Sequence, residues 1–135
     1  MNAAEKVDAY PVPEHARGGT LDRHFGRLMP IVEGRIYDLM AEYASSYGGG
    51  YWQFVELSNG GFYMSPPDTE YELCVHGNGF QGRMSADAVG ITICLHAYSH
   101  LSFEFSTPVL VDHFHWLRAF ALTHPERRHI IAAID

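Results

Sequence analysis

The chain has 135 residues, 47% of them hydrophobic and 19% charged, which fits one domain with its own core. Nine Lys and Arg against sixteen Asp and Glu give a net charge of −7. That leaves no basic footprint able to displace counterions, so direct nucleic-acid binding is not expected. Two cysteines, Cys74 and Cys94, each inside an apolar run, suit a reducing compartment better than a disulfide scaffold and read as core residues.

Residues 1–19 read as a loosely ordered N-terminal segment, with Pro11, Pro13 and Gly18-Gly19 and little apolar pattern. No apolar h-region opens the chain, so a signal peptide is not expected. Residues 20–135 read as a single domain. From Leu28 the apolar residues Val32, Ile36, Leu39, Met40 and Tyr43 recur at helical spacing, with Pro30 in the first turn and Gly48–Gly50 as the stop.

Between Tyr43 and Tyr63 the chain packs seven aromatics and five glycines into twenty-one residues. Tyr51–Leu57 reads as a strand, Ser58-Asn59-Gly60-Gly61 as a hairpin turn, and Phe62–Ser65 as the returning strand, which Pro66-Pro67 ends. Tyr71–His76 is predicted as a third strand, completing a small antiparallel meander. Gly77-Asn78-Gly79-Phe80-Gln81-Gly82 fits G-x-G-x-x-G literally but lacks the strand–helix context of a dinucleotide site, and reads as a turn.

Ser85 is placed to cap a helix that is apolar on nearly every side, from Ala88 to Phe103, with Asp87 in its first turn. At thirteen residues, its apolar stretch from Ile91 to Phe103 is far short of the ~20 needed to cross a bilayer. Thr107-Pro108 gives an N-cap and first-turn proline for a helix to about Leu122. Thr123-His124-Pro125-Glu126 has the spacing of a capping box for a short last helix. The predicted fold class is therefore α+β: a meander of about three strands packed with three to four α-helices. The expected location is the cytoplasm.

Chemistry is sparse in this pattern. His96 and His100 stand i, i+4 on a helix, Glu104 extends that face, and His113-Phe114-His115 could approach it in space. A metal-dependent enzyme using His96 and His100 is the alternative function this spacing raises, although no H-E-x-x-H is present. No G-x-S-x-G elbow or activated cysteine signature occurs. The carboxylates are scattered, too thinly for a charge-for-charge imitation of a duplex with about one charge per 1.7 Å. The aromatic-rich strands instead offer Tyr and Trp of the kind that anchors protein interfaces.

Three stretches closely resemble antirestriction proteins of the ArdB/KlcA type. They are Y-G-G-G-Y-W-Q-F-V-E-L-S-N-G-G-F-Y-M-S-P (residues 47–66), G-N-G-F-Q-G-R-M-S-A-D-A-V-G-I (residues 77–91) and S-H-L-S-F-E (residues 99–104). H-F-G-R-L-M-P (residues 24–30) is similar to that family too, so the resemblance spans about residues 24–105. It implies a small α+β protein of plasmids and other mobile elements that relieves type I restriction–modification of incoming unmodified DNA. The family is distinct from the heavily acidic DNA mimics and brings no catalytic residue or cofactor. The expectation is a non-enzymatic inhibitor, free of metal and cofactor, that meets the restriction enzyme directly or indirectly. Its candidate contact residues are Tyr51, Trp52, Gln53, Asn59, Tyr63, Asn78, Arg83 and Asp87.

Overall fold

The computed structural model describes residues 6–135. Five strands and five α-helices follow one another as β1 (Ala9–Pro11), α1 (Thr20–Phe25), α2 (Met29–Tyr43), β2 (Gln53–Leu57), β3 (Phe62–Ser65), β4 (Glu70–Val75), β5 (Phe80–Ser85), α3 (Ala86–Phe105), α4 (Pro108–Ala121) and α5 (Arg127–Ile134). The α+β class holds, but the strands do not form one meander. They make a three-stranded sheet in the order β1-β2-β3 and a separate β4-β5 ribbon, both antiparallel.

The β2-β3 hairpin forms where the Asn-Gly signal puts it, with Val55 opposite Tyr63 and a three-residue loop, Ser58 to Gly60, in which Gly60 takes φ +102°. The predicted third strand cannot add to β3, because α3 already lies along that edge. Tyr98 Oη donates to the Phe62 carbonyl at 2.6 Å, and Cys94 Sγ approaches the Met64 carbonyl at 3.8 Å. A Cβ on Gly90 would stand 2.4 Å from Met64 O and 2.7 Å from Ser65 Cα, so only glycine permits this approach. A helix thus covers a sheet edge that would otherwise leave polar groups unpaired. β4 pairs instead with Phe80–Ser85, part of which the sequence reads as turn.

The third strand of the sheet comes from the segment expected to be loosely ordered. Residues 1–5 lie outside the described residues, but Ala9–Pro11 pairs with β2, and Val12 N–H donates to Phe54 O at 2.8 Å. Two helix ends also differ from expectation. Helix α2 stops at Tyr43, capped by the Ala44 N–H, before it reaches the glycines. The Thr123–Glu126 capping box does not form: Thr123 Oγ1 donates back to Phe120 O, and Glu126 turns to Ser85.

The core is continuous around α3, whose Val89, Ile91, Ile93, Cys94, Leu95, Tyr98 and Leu101 are buried. Phe54 and Val55, on opposite faces of β2, are both buried, as are Phe62, Tyr63 and Met64 on β3. Both faces of the sheet are therefore covered. Among the described residues no helix is long and apolar enough to cross a membrane.

Candidate partner-contact site

The family-like motifs sit at the places where turns and helix ends are held. Ser85 caps α3 by accepting from the Ala88 N–H at 3.1 Å, and its own N–H and hydroxyl donate to the Glu126 carboxylate. Two residues on, in the first turn of α3, Asp87 accepts from Tyr63 Oη at 2.6 Å and pairs with His124 Nε2 at 2.9 Å. These bonds tie β3, the start of α3 and the α4–α5 connection together. Burial works to raise the Asp87 pKa, but the bonds from His124 and Tyr63 outweigh it and hold the carboxyl below its ordinary value. Burial, with the Asp87 carboxylate beside it, holds the Tyr63 phenol well above its own ordinary value, so it stays a donor.

Asn59 and Asn78 do the same job in two turns. Each side-chain oxygen accepts from its own turn, from Gly61 N–H at 3.0 Å and Phe80 N–H at 2.9 Å. Each amide then reaches a distant helix: Asn59 Nδ2 to Trp116 O at 2.9 Å, and Asn78 Nδ2 to Ala133 O at 2.7 Å. A Cβ at Gly61 would meet Trp116 Cβ at 2.9 Å, so the glycine lets the hairpin seat under that indole.

Of the eight candidate contact residues, the structure brings together only Tyr63 and Asp87 by direct hydrogen bond. Trp52 is 2% exposed, with its indole N–H donating to Tyr47 Oη at 3.0 Å. Tyr51 is 60% exposed and lies under the Arg17 guanidinium, which also stacks on Phe54 and donates to Trp52 O at 2.6 Å. Gln53 is exposed, and Arg83 is exposed on β5 in an ion pair with Glu70 at 2.8 Å. Tyr51, Gln53, Asn78 and Arg83 are exposed, Arg83 in its ion pair and Asn78 in its hydrogen bonds, while Asn59 and Asp87 are half-buried and Trp52 and Tyr63 are buried.

Sequence reasoning missed a cleft between α4, α1 and the β2–β3 turn, lined by Arg23, His24, Gly60, Asp112, His113 and Trp116. The sequence marks His24 within H-F-G-R-L-M-P, His113 and the turn residue Gly60, but nothing in it joins them. His113 packs its ring against Phe25 at 4.6 Å and His24 at 5.1 Å between centroids. It does not approach His96.

The hydrogen bonds of His96 and Glu104 count against the metal-enzyme alternative. His96 Nε2 faces the Ala133 carbonyl at 3.0 Å and must donate to it, which leaves Nδ1 to accept from Tyr43 Oη at 3.1 Å. Both ring nitrogens are thus engaged in a neutral tautomer, and burial lowers this imidazole's pKa. Glu104 is held by Arg35 through two bonds, at 2.8 and 3.1 Å. Among the described residues no group of three His, Cys, Asp or Glu is placed to hold a metal ion.

These features define a small α+β domain in which Asn59, Tyr63, Asn78 and Asp87 hold turns and helix ends. Comparison with known proteins identifies the fold and the family. A family model described as "Antirestriction protein" matches residues 45–135. The chain is 41% identical to an antirestriction protein KlcA of Escherichia coli, with the whole of both chains aligned. A second KlcA of that organism is 43% identical over 96% of this chain and 94% of its own. The uncharacterized protein YafX of Escherichia coli K12 is 39% identical over 93% and 86%. A solved structure from work describing a novel fold for KlcA and ArdB, and antirestriction activity against type I DNA restriction systems in vivo but not in vitro, superposes over all of both chains. Its TM-score is 0.90, at 42% identity. The chain belongs to the antirestriction protein family. The likeness runs to residue 135, beyond the point where the sequence motifs end.

Proposed function

We propose that this protein relieves type I restriction–modification of incoming unmodified DNA, acting in the cytoplasm by non-enzymatic protein contacts. The observation that carries this reading is the full-length match to the KlcA/ArdB structure at 42% identity and a TM-score of 0.90. Activity of those proteins in vivo but not in vitro fits an action directed at the restriction enzyme through a component that only the cell supplies.

Charge pairing supports contact over imitation of DNA. Glu56, Glu70 and Glu104 are each matched by an arginine, and Asp87 is bonded to Tyr63 and His124. A surface so interrupted does not reproduce the even row of a duplex. The exposed candidates Tyr51, Gln53 and Arg83 contribute to the contact surface. Trp52, Asn59, Tyr63, Asn78 and Asp87 act by holding its shape.

The test is the plating efficiency of unmodified phage on a type I restricting host, with and without the protein. Recovery of plaques, with no change on a non-restricting host, is the expected result. Unchanged restriction by well-expressed, folded protein would overturn the reading.

A further inference from the structure

Residues 44–52, between α2 and β2, form no helix or strand, yet they carry the exposed Tyr51 ring. Gly48, Gly49 and Gly50 enter no hydrogen bond among the described residues, and Gly49 and Gly50 take φ of +91° and +130°. Glycine loses the most conformational freedom on ordering, so three in a row do not hold a pose by themselves. Two contacts back this loop. Trp52 Nε1 donates to Tyr47 Oη at 3.0 Å, and a Cβ on Gly50 would stand 2.8 Å from Pro67 Cγ. Neither contact touches the Tyr51 side chain.

Arg17 does touch it. Its guanidinium carbon lies 4.4 Å from the Tyr51 ring centroid and 3.7 Å from that of Phe54, while Nη1 donates to Trp52 O at 2.6 Å. Phe54 is buried and packs edge-on against Phe62 at 5.5 Å, so the guanidinium joins an exposed ring to a fixed one. The backbone of Arg17 is fixed as well: its N–H donates to Glu14 O at 3.2 Å, and its carbonyl accepts from the Thr20 N–H at 3.0 Å. Arg17 enters no ion pair among the described residues, so its charge is directed at two rings and a carbonyl. A lysine does not replace it, because an ammonium has no plane to lay on a ring while it donates to a carbonyl.

We propose that Arg17 is a positioning residue: by joining Tyr51 to Phe54 and to the Trp52 carbonyl, it orders the Gly48–Tyr51 loop and presents the Tyr51 ring to the protein partner. Ordering the loop in the free protein spares the complex that entropy cost. The proposal rests on the reading of this protein as one that acts through protein contacts, and names how one contact is pre-organised.

The experiment pairs NMR relaxation of the full chain with phage plating, using Arg17→Lys, which keeps the charge and loses the plane. Backbone order parameters over Gly48–Tyr51 should fall from about 0.85 in the wild type to below about 0.6 in the variant, with those of α3 unchanged. Plating on a type I restricting host is then compared for Arg17→Lys, Tyr51→Ala and the double variant, at graded expression that keeps recovery on scale. Arg17→Lys should lower recovery about tenfold, and adding it to Tyr51→Ala should lower it no further, because Arg17 acts through that ring. A loop equally ordered in both proteins, full recovery with Arg17→Lys, or losses that multiply in the double variant would overturn the proposal. Relief of restriction by the wild type with an unmoved loop in Arg17→Lys would remove the positioning role alone. A loosened loop in Arg17→Lys with no relief by the wild type would remove the antirestriction reading alone.

Discussion

Replacing His113 with Phe should flatten the acid sensitivity of this fold. His113 sits among the rings of Phe25, His24, Tyr98 and Trp116, and burial, aided by the neighbouring His24, lowers its pKa from 6.5 to about 4. The folded ring therefore stays neutral while the unfolded chain takes up a proton. Where the unfolded state binds more protons, stability falls with falling pH, here from the unfolded value of 6.5 down to about 4. Between pH 7 and pH 5 the difference in proton binding removes about 2 kcal/mol. His24 and His96 have lowered values too and act in the same direction, so the comparison of interest is wild type against variant. Urea unfolding followed by circular dichroism at several pH values gives both slopes, with the m-value as a check on two-state behaviour. Whatever offset the larger ring introduces at pH 7, the loss between pH 7 and pH 5 should shrink by about 2 kcal/mol in His113→Phe. Identical pH slopes would refute the account of this site as a buried neutral pair.

Gly90→Ala should cost about 3 kcal/mol or prevent folding, because the added methyl meets backbone on β3 and neither element can yield; a melting curve decides it. Asp87→Asn should lower stability by about 1 kcal/mol at pH 7, a figure reduced for a carboxylate that is half exposed. Since the Asp87 pKa is held down in the fold, that difference is present above about pH 4 and disappears as pH falls through the depressed value; urea melts at pH 7 and pH 3 measure it. Asn78→Ala should free α5, because it removes the bond to Ala133 O, and amide hydrogen exchange in Arg127–Ile134 should rise with little change in α2.

The helix starts were legible because their signals are local. Pro30, Ser85, Thr107 and Pro108 act within a turn of themselves, and the structure places α2, α3 and α4 accordingly. Pairing of the strands was not legible, because the open edge of β3 is taken by a helix that approaches through Gly90, far along the chain. The failed capping box has the same origin: Glu126 has the right spacing, but Ser85, forty-one residues away, holds its carboxylate. The internal hydrogen bonds of the motif residues were not legible. Nothing in Asn59 or Asn78 announces a bond to a helix more than fifty residues on, so conspicuous polar turn residues read as contacts. The α4 cleft was hidden because Arg23, His24, Gly60 and Trp116 converge only in three dimensions.

The central claim is that surface contacts, made by a shape the motifs hold, carry the activity. Plating efficiency on a type I restricting host should be measured for Tyr51→Ala, Gln53→Ala and Arg83→Ala beside their melting temperatures. Loss of phage recovery at an unchanged melting temperature is the predicted result. Recovery that fails only in step with a falling melting temperature would contradict the claim.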